Sequence, residues 1–325
     1  MTMEKTNVYF ERKSLPRMFF LGILAMVLST FPPLALFAPV PMIFIFLQHG
    51  KVEALTVALV SMVLLVLLGP KVQMAVVFIA IYLLSFVYAV SVSEIIYRKI
   101  PPMRGLVYSG LTIVSVIFIG ISILIMMTEG SFIEQLEKSI EQVFLQVKTE
   151  NADFIARGGS EARELEDFIS NPQKMVKEVI SWFPSLIFVS NFIGLWVAFF
   201  LTLRNSVSWK RKVDYPYGTS DLLNFKIPDF FVWPLILSLA VYVGGEYLGS
   251  WGVIVGGNLL YSLGVFYFFQ GFGIFNKFLD FWSIMGIFRS FLMVFTMFFA
   301  WRAVVLLGVL GIWIDFKRFM KKKEE

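Results

Sequence analysis

Long apolar stretches separated by short polar breaks dominate the pattern of this chain. They cover residues 18–47, 52–68, 72–97, 106–127, 179–203, 230–248, 251–275 and 284–314. A helix needs about 20 consecutive apolar residues to cross the hydrocarbon core of a bilayer. The pattern therefore predicts an all-α fold, a polytopic transmembrane helical bundle.

The first and last apolar stretches are both too long for one ordinary span. Pro32 and Pro33 interrupt the first, and a proline removes a backbone donor and clashes with the preceding helical turn. The last has 31 residues, about 46 Å as a helix against a hydrocarbon core of about 30 Å. Splitting both stretches gives ten spans and splitting neither gives eight, so we expect about 8–10 spans.

Residues 128–178 interrupt the apolar pattern with a polar insert. It carries eleven acidic and six basic side chains, whereas the whole chain has a net charge of +5. Apolar positions recur at helical spacing from Ser131 to Val147, which predicts an amphipathic helix. Gly158 and Gly159 break that pattern, and a second short helix is expected over residues 161–169.

The distribution of lysine and arginine orients the chain in the membrane. With ten spans and both termini inside, the cytoplasmic segments carry 20 Lys and Arg residues, and the short outer turns carry Lys71 and Arg302. Cytoplasmic loops of membrane proteins are enriched in basic residues. We therefore expect a multi-pass protein of the bacterial inner membrane, with both termini cytoplasmic and the acidic helical insert extracytoplasmic.

Composition narrows the chemistry that the chain can carry. Hydrophobic residues make up 58% and charged residues 16%, so the positive balance is a topology signal and we expect no nucleic acid partner. The chain has no cysteine and one histidine, His49, so we expect neither a metal site nor a cofactor. Residues 18–30 are followed by no small-residue cleavage pattern, which favours a retained first span over a removed signal sequence.

Three stretches carry a resemblance to a known family. They are residues 226–234, the segment from Asn258 to Gly271, and residues 311–318. In composition and position they are similar to the YybS-like bacterial polytopic membrane proteins, a group of unknown function. The resemblance covers nearly the whole chain and implies a membrane protein without a catalytic signature.

The first half also resembles the S components of energy-coupling-factor vitamin transporters, which bind substrate. The similar features are Pro39 and Pro41 in the second helix, the break at His49 and Gly50, and Gly69-Pro70. The resemblance implies six spans, with a cavity that opens outward beneath the insert. It also implies that small residues of the first helix contact a scaffold subunit, and the residues at comparable spacing are Gly22, Ala25 and Ser29.

These observations predict three consecutive parts of the chain. Residues 1–204 form a six-span bundle that contains the insert 128–178. Residues 205–227 form a cytoplasmic basic loop. Residues 228–325 form C-terminal membrane hairpins with a basic cytoplasmic tail.

Polar residues inside apolar helices are the candidate ligand-binding residues, because an unpaired polar group in lipid is costly. Arg302 and Glu246 are placed on the same side and either pair with each other or lie separately at the membrane surface. For the amides Asn191, Asn258 and Gln270, the alternatives are hydrogen bonding between helices and contact with a ligand.

A cluster of glycines marks the helix that begins near residue 250. Gly252 and Gly256 form a GxxxG pattern and Gly257 follows directly. The pattern is typical of close helix packing in membranes. The alternative is an unwound turn that lines a ligand site, as in transporters.

No phosphate-binding loop, HExxH, GxSxG or EF-hand pattern occurs in the chain, so we do not expect an enzyme. The first hypothesis is a transport-type membrane protein that binds an unidentified small molecule. The alternative is a non-catalytic membrane scaffold or assembly partner for other proteins. Besides the lipid bilayer, the expected partners are accordingly a small molecule or another membrane protein.

Overall fold

The computed structural model describes residues 15–68, 72–128, 131–156, 158–160, 163 and 172–316. Over those ranges every regular element is a helix and no strand occurs. The predicted all-α class is therefore confirmed.

Among the described residues up to Met127, the chain forms five α-helices. Proline at the start of the short 3-10 helix Pro32–Phe37 separates the first two, so the predicted break at Pro32 and Pro33 is observed. The five helices are α1 (Leu15–Thr30), α2 (Pro39–His49), α3 (Lys51–Leu68), α4 (Val72–Tyr97) and α5 (Pro102–Met127).

The insert contains the predicted amphipathic helix. Helix α6 (Ser131–Glu150) is followed by α7 (Ala152–Ala156). Gly158 and Gly159 then adopt φ of +68° and +123°, a region that glycine enters without steric cost. The predicted helix over 161–169 lies outside the described residues, apart from Arg163.

Two of the remaining helices are long and the others are short. Helix α8 (Pro172–Arg204) and helix α12 (Ser250–Phe281) are the long ones. Between them lie α9 (Thr219–Leu223), α10 (Val232–Val243) and α11 (Gly245–Leu248), and the chain ends in α13 (Gly286–Phe299) and α14 (Trp301–Leu310).

Five helices among the described residues are long and apolar enough to cross a membrane. They lie within Pro32–His49, Val77–Tyr97, Pro102–Met127, Met175–Arg204 and Ser250–Phe281. Helices α13 and α14 add a sixth if they are one broken span, with a bend of 92° between them. The prediction of 8–10 spans also included stretches that fold as shorter helices, such as Leu15–Thr30 and Asp229–Val243.

The described residues cluster in space into two compact units, each made of pieces from distant parts of the chain. Unit 1 takes its residues from Met1–Gly110, Asn191–Lys226 and Phe269–Glu325, and unit 2 from Leu111–Ser190 and Ile227–Phe268. The three consecutive parts predicted above stay a prediction about the order of segments along the sequence.

Unit 1 has a closely packed core of apolar and aromatic side chains. Helices α1 to α4 all contact one another, and Met42, Tyr82 and Phe199 are fully buried. Trp196 stacks on Phe269 with ring centroids 5.5 Å apart. This core holds the C-terminal part of α12 in a defined position within the unit.

Candidate ligand-binding groove

A groove of about 390 Å³ lies in unit 1, where three segments of the chain meet. These segments are the end of the loop after α9, the C-terminal part of α12 and the residues that follow α14. The lining residues are Leu223, Asn224, Phe225, Lys226, Gln270, Gly273, Ile274, Lys277, Gly311, Ile312, Trp313, Ile314, Asp315 and Phe316. The volume lies within the range of small-molecule sites, roughly 300–1,000 Å³.

Two glycines of α12 allow the three segments to approach so closely. A methyl group at Gly273 would overlap the carbonyl oxygen of Leu223, and one at Gly271 would overlap the carbonyl oxygen of Val304. A methyl at Gly271 would also lie 2.7 Å from the backbone nitrogen of Gly308. Backbone therefore packs directly on backbone at Gly271 and at Gly273.

Gln270 is a polar, buried residue of the groove, with 5% of its surface exposed. Its Nε2 donates a hydrogen bond of 2.8 Å to the carbonyl of Gly308. The last four carbonyls of a helix have no partner within the helix, and α14 ends at Leu310. The carbonyls of Leu307, Val309 and Leu310 accept hydrogen bonds from backbone N–H groups of the turns that follow. Gln270 thus caps the end of α14.

The groove carries two lysines and one aspartate. Lys226 comes from the loop, Lys277 from α12 and Asp315 from the segment after α14. The formal charges of these three lining residues sum to +1. Trp313 adds an aromatic ring that is 64% exposed. Because it combines cationic, amide and aromatic groups, the groove suits a ligand with an anionic group and an apolar part.

The loop that forms one wall of the groove is anchored to the rest of unit 1. Trp209 is fully buried and donates from Nε1 to the carbonyl of Thr202 at 3.0 Å. The hydroxyl of Tyr215 donates to the carbonyl of Ile100 at 2.8 Å. Burial raises the pKa of Tyr215, so the phenol stays a neutral donor.

An ion pair adds to this anchoring at the surface. Lys99 Nζ lies 2.7 Å from Asp214 Oδ2. The hydrogen bond from Lys99 lowers the pKa of Asp214, and the charge of Lys99 acts in the same direction. The aspartate is exposed, so the pair contributes little to stability by itself.

Asn258 repairs a defect that proline creates in α8. Pro184 lies inside that helix and disturbs its hydrogen bonding. In a regular helix the N–H of Ser185 would donate to the carbonyl of Ser181. Here the N–H of Ser185 donates to Asn258 Oδ1 at 2.8 Å, and Asn258 Nδ2 donates to the carbonyl of Ser181 at 2.7 Å. The side-chain amide of Asn258 therefore lies between the Ser185 N–H and the Ser181 carbonyl and hydrogen-bonds to both, within unit 2.

The other predicted polar residues have different surroundings. Asn191 is 2% exposed and donates to the carbonyl of Gly110 at 3.1 Å. Arg302 is exposed, and its guanidinium carbon lies 5.3 Å from the ring centre of Trp301. Glu246 belongs to α11, but its side chain lies outside the part of the chain that the structure describes, so its pairing with Arg302 stays a prediction. Of the four candidates whose side chains the structure describes, Gln270 is the one that lines the groove.

The glycines predicted to mediate packing lie at close approaches within their own units. In unit 2, a methyl at Gly256 would lie 2.5 Å from the backbone nitrogen of Tyr242, one at Gly252 would lie 2.8 Å from Leu248 Cβ, and one at Gly257 would overlap the Trp182 ring. In unit 1, a methyl at Gly22 would overlap Val57 of α3.

The small-residue face of the first helix is covered by the chain itself. Gly22, Ala25 and Ser29 are all buried in unit 1. An S component would use these positions to contact a scaffold subunit. Here the face already packs within unit 1, so it is not exposed for that contact.

A second, smaller cavity of about 310 Å³ lies beside the insert helix in unit 2. Glu134, Glu137, Lys138 and Glu141 of α6 line it together with Val176 and Lys177 of α8. Five of these six lining side chains are charged, and the sixth, Val176, is apolar and buried. The outward-opening cavity of an S-component-like bundle stays a prediction.

Sequence reasoning did not single out the lysines, the aspartate or the glycines of the groove. Lys226, Lys277 and Asp315 stand at the ends of apolar stretches, where charge is ordinary. Gly271 and Gly273 lie outside the GxxxG cluster. The available signal was the recurrence of small residues in α12 beyond Gly264, next to a polar residue, Gln270.

The fold and the apolar helices define a polytopic helical membrane protein. The family described as "Predicted membrane protein (DUF2232)" matches residues 18–315, and the chain belongs to that family. No curated protein and no solved structure matches the chain.

Proposed function

We propose that this chain is a non-enzymatic, transport-type membrane protein that binds a small molecule in the groove beside Gln270. The observation that supports the proposal is a cavity of about 390 Å³ in which a buried amide, two lysines and an aspartate meet apolar walls. Ligand sites in proteins are mostly apolar and contain a few such polar groups.

A binding test uses the full chain purified in a mild detergent. Native mass spectrometry is expected to show a retained small molecule. Ile274→Trp places a large ring in the groove and is expected to abolish retention. Ile254→Trp, on the same helix but outside the groove, is the matched control and keeps the ligand. If the wild type never retains a molecule, or both variants behave alike, the proposal is wrong.

The proposal includes an orientation in the membrane. The distribution of basic residues supports cytoplasmic termini, a cytoplasmic loop 205–227 and an extracytoplasmic insert. Because the chain has no cysteine, single-cysteine variants report cleanly. An impermeant maleimide on intact cells is expected to label Ser139→Cys in α6 and to spare Ser220→Cys in α9. The reverse pattern would invert the orientation.

A scaffold role is the second candidate, supported by helix α13. Its exposed positions are large and apolar, including Phe291 at 60% and Phe298 at 62% exposure. With 14 residues it is about 21 Å long, which is too short to cross a bilayer core. A photo-crosslinking residue at Phe291 distinguishes the two functions: a stable protein adduct favours the scaffold role, and lipid adducts alone count against it.

A further inference from the structure

We propose that unit 1 binds an anionic phospholipid of the surrounding membrane, with the headgroup at Arg204 and an acyl chain along helix α13. The site shares no lining residue with the groove, so it goes beyond the proposed function and does not depend on it. Three features meet there: a helix with an apolar outer face, an arginine held at the edge of that face, and further positive charge in the turn after that arginine.

Helix α13 has one face toward the protein and one face away from it. Arg289 forms an ion pair of 2.5 Å with Asp280 and donates at 2.7 Å to Asn276 Oδ1, both near the C-terminal end of α12. One and two turns further along α13, Met293 and Thr296 are buried. These contacts on one side fix which face of α13 points outward.

The outward face of α13 is a strip of large apolar side chains. Phe291, Val294 and Phe298 recur at helical spacing and are all exposed. Phe291 also stacks on Phe295, with ring centroids 6.0 Å apart. Seven residues of helix rise by about 10 Å, so the strip can accompany the upper part of an acyl chain.

Arg204 lies at the edge of this strip and at the end of an apolar helix. It is the last residue of the candidate span Met175–Arg204, and basic residues at the ends of spans lie at the membrane surface. Its Nη2 donates to Ser290 Oγ at 3.0 Å, and Ser290 directly precedes Phe291.

The bond to Ser290 positions the guanidinium without cancelling its charge, because a hydroxyl is neutral. Arg204 forms no ion pair within the described part of the chain. A guanidinium has five N–H donors, and its planar shape allows two of them to bind one phosphate. Arg204 therefore places a phosphate-binding group directly above an apolar strip, in the order in which a phospholipid carries its headgroup and its acyl chain.

The turn after Arg204 favours a headgroup with a net negative charge. Lys210 and Arg211 are exposed, and neither forms an ion pair with another described residue. Lys212 donates to a backbone carbonyl, which leaves its charge in place. The nearest acidic residue in the sequence, Asp214, is already paired with a lysine. Four cations within nine residues at the end of a span are typical of segments that attract anionic lipids.

The test measures lipid binding to the purified full chain by native mass spectrometry in a mild detergent. The probes are phosphatidylglycerol, whose headgroup is anionic, and phosphatidylcholine, whose headgroup is zwitterionic. We expect the wild type to prefer phosphatidylglycerol, and Arg204→Gln to weaken its binding about fivefold, because a basic residue near an anionic surface contributes about that much. Arg204→Lys keeps the charge and is expected to retain most of the affinity.

The matched control is Arg104→Gln. It removes the same charge from an exposed position near the start of the candidate span Pro102–Met127 and is expected to leave phosphatidylglycerol binding within about twofold. A photo-crosslinking residue at Phe298, in nanodiscs with equal amounts of the two lipids, provides a second measurement with Arg204 intact. We expect adducts of phosphatidylglycerol to exceed those of phosphatidylcholine.

The inference is overturned if Arg204→Gln binds phosphatidylglycerol as Arg104→Gln does, or if the wild type binds both lipids equally. Equal adducts of the two lipids at Phe298 would also overturn it, and so would a protein adduct in their place, because a protein would then cover the strip. None of these results bears on the groove, whose occupancy is tested separately with Ile274→Trp.

Discussion

The two ends of helix α12 use the same residue types for different purposes. In unit 2, Gly256 approaches the backbone of α10, and Asn258 hydrogen-bonds to the Ser185 N–H and the Ser181 carbonyl of α8. In unit 1, Gly271 and Gly273 approach other backbone segments and Gln270 caps α14. At each end, glycine admits a backbone and an amide serves backbone groups that lack a helical partner.

The two amides differ in the part of the helix whose backbone groups they hydrogen-bond. Asn258 enters the interior of a helix, where one donor and one acceptor are missing, and its two ends satisfy both. Gln270 meets the end of a helix, where the chain turns away and three segments leave space between them. A polar groove opens at the end of α14, whereas in α8 Asn258 bonds to both backbone groups that Pro184 leaves without their helical partner.

The largest effect is expected from Gly271→Ala. Its methyl group would overlap the carbonyl oxygen of Val304, so α14 has to move and the groove is deformed. We expect a loss of about 3 kcal/mol, at the upper end for overpacked sites, measured as thermal unfolding in detergent. The control is Gly264→Ala on the same helix, where nothing lies within 4 Å of the added methyl, and it stabilises or is neutral. Equal behaviour of the two variants would contradict the close approach.

Gly256→Ala tests the corresponding approach in unit 2. The methyl would lie 2.5 Å from the nitrogen and 2.9 Å from the Cα of Tyr242. We expect a loss of about 2 kcal/mol, with ligand retention in the groove unchanged because the groove residues belong to unit 1. Loss of the ligand at preserved folding would show that the two ends of α12 are coupled.

The repair of α8 predicts coupling between Asn258 and Pro184. Asn258→Leu leaves the N–H of Ser185 and the carbonyl of Ser181 without the amide, and we expect a loss of about 1–2 kcal/mol. In a Pro184→Ala background the helix can close its own hydrogen bonds, so the same change is expected to be nearly neutral. A double-mutant cycle measures the difference. Additive effects of the two substitutions would be evidence against the bridge.

We expect Gln270→Leu to reduce stability less than Asn258→Leu does. It removes the hydrogen bond to the Gly308 carbonyl, an average loss of about 0.6 kcal/mol in membranes. Because Gln270 also lines the groove, we expect Gln270→Leu to reduce ligand retention as well as stability. Gln270→Asn, which keeps an amide but shortens the reach, serves as the comparison. Unchanged retention in both variants would remove Gln270 from the binding site.

The smallest expected effect is a pH dependence of the local stability of the loop that forms one wall of the groove. Lys99 lowers the pKa of Asp214 in the folded protein. The ion pair therefore stabilises above the unfolded pKa, near about 4, and this contribution is lost as the pH falls through the lower folded value. Hydrogen exchange of residues 205–227 is expected to accelerate in that range. Lys99→Gln removes the pH dependence, and a dependence that persists in this variant would have another origin.

Much of the fold follows from the sequence by simple physics. Apolar stretches of bilayer length must satisfy their backbone groups internally, so they form helices. Pro32 and Pro33 cannot continue a helix, and Gly158 and Gly159 readily leave one. The sequence gives a weaker signal for the helix break at Ala300. Arg302 marks the region, but no proline or glycine stands at the break itself.

The sequence by itself determined that this is a helical membrane protein and that Asn191, Asn258 and Gln270 are polar residues in apolar helices. Only the tertiary structure decided what each amide does. A hydrogen bond requires donor and acceptor within about 3 Å, and the partners of Gln270 and Gly273 lie about 40 to 50 residues away, at Gly308 and Leu223. Glycine in a sequence permits close approach of a backbone, but the packing of distant segments selects which backbone approaches.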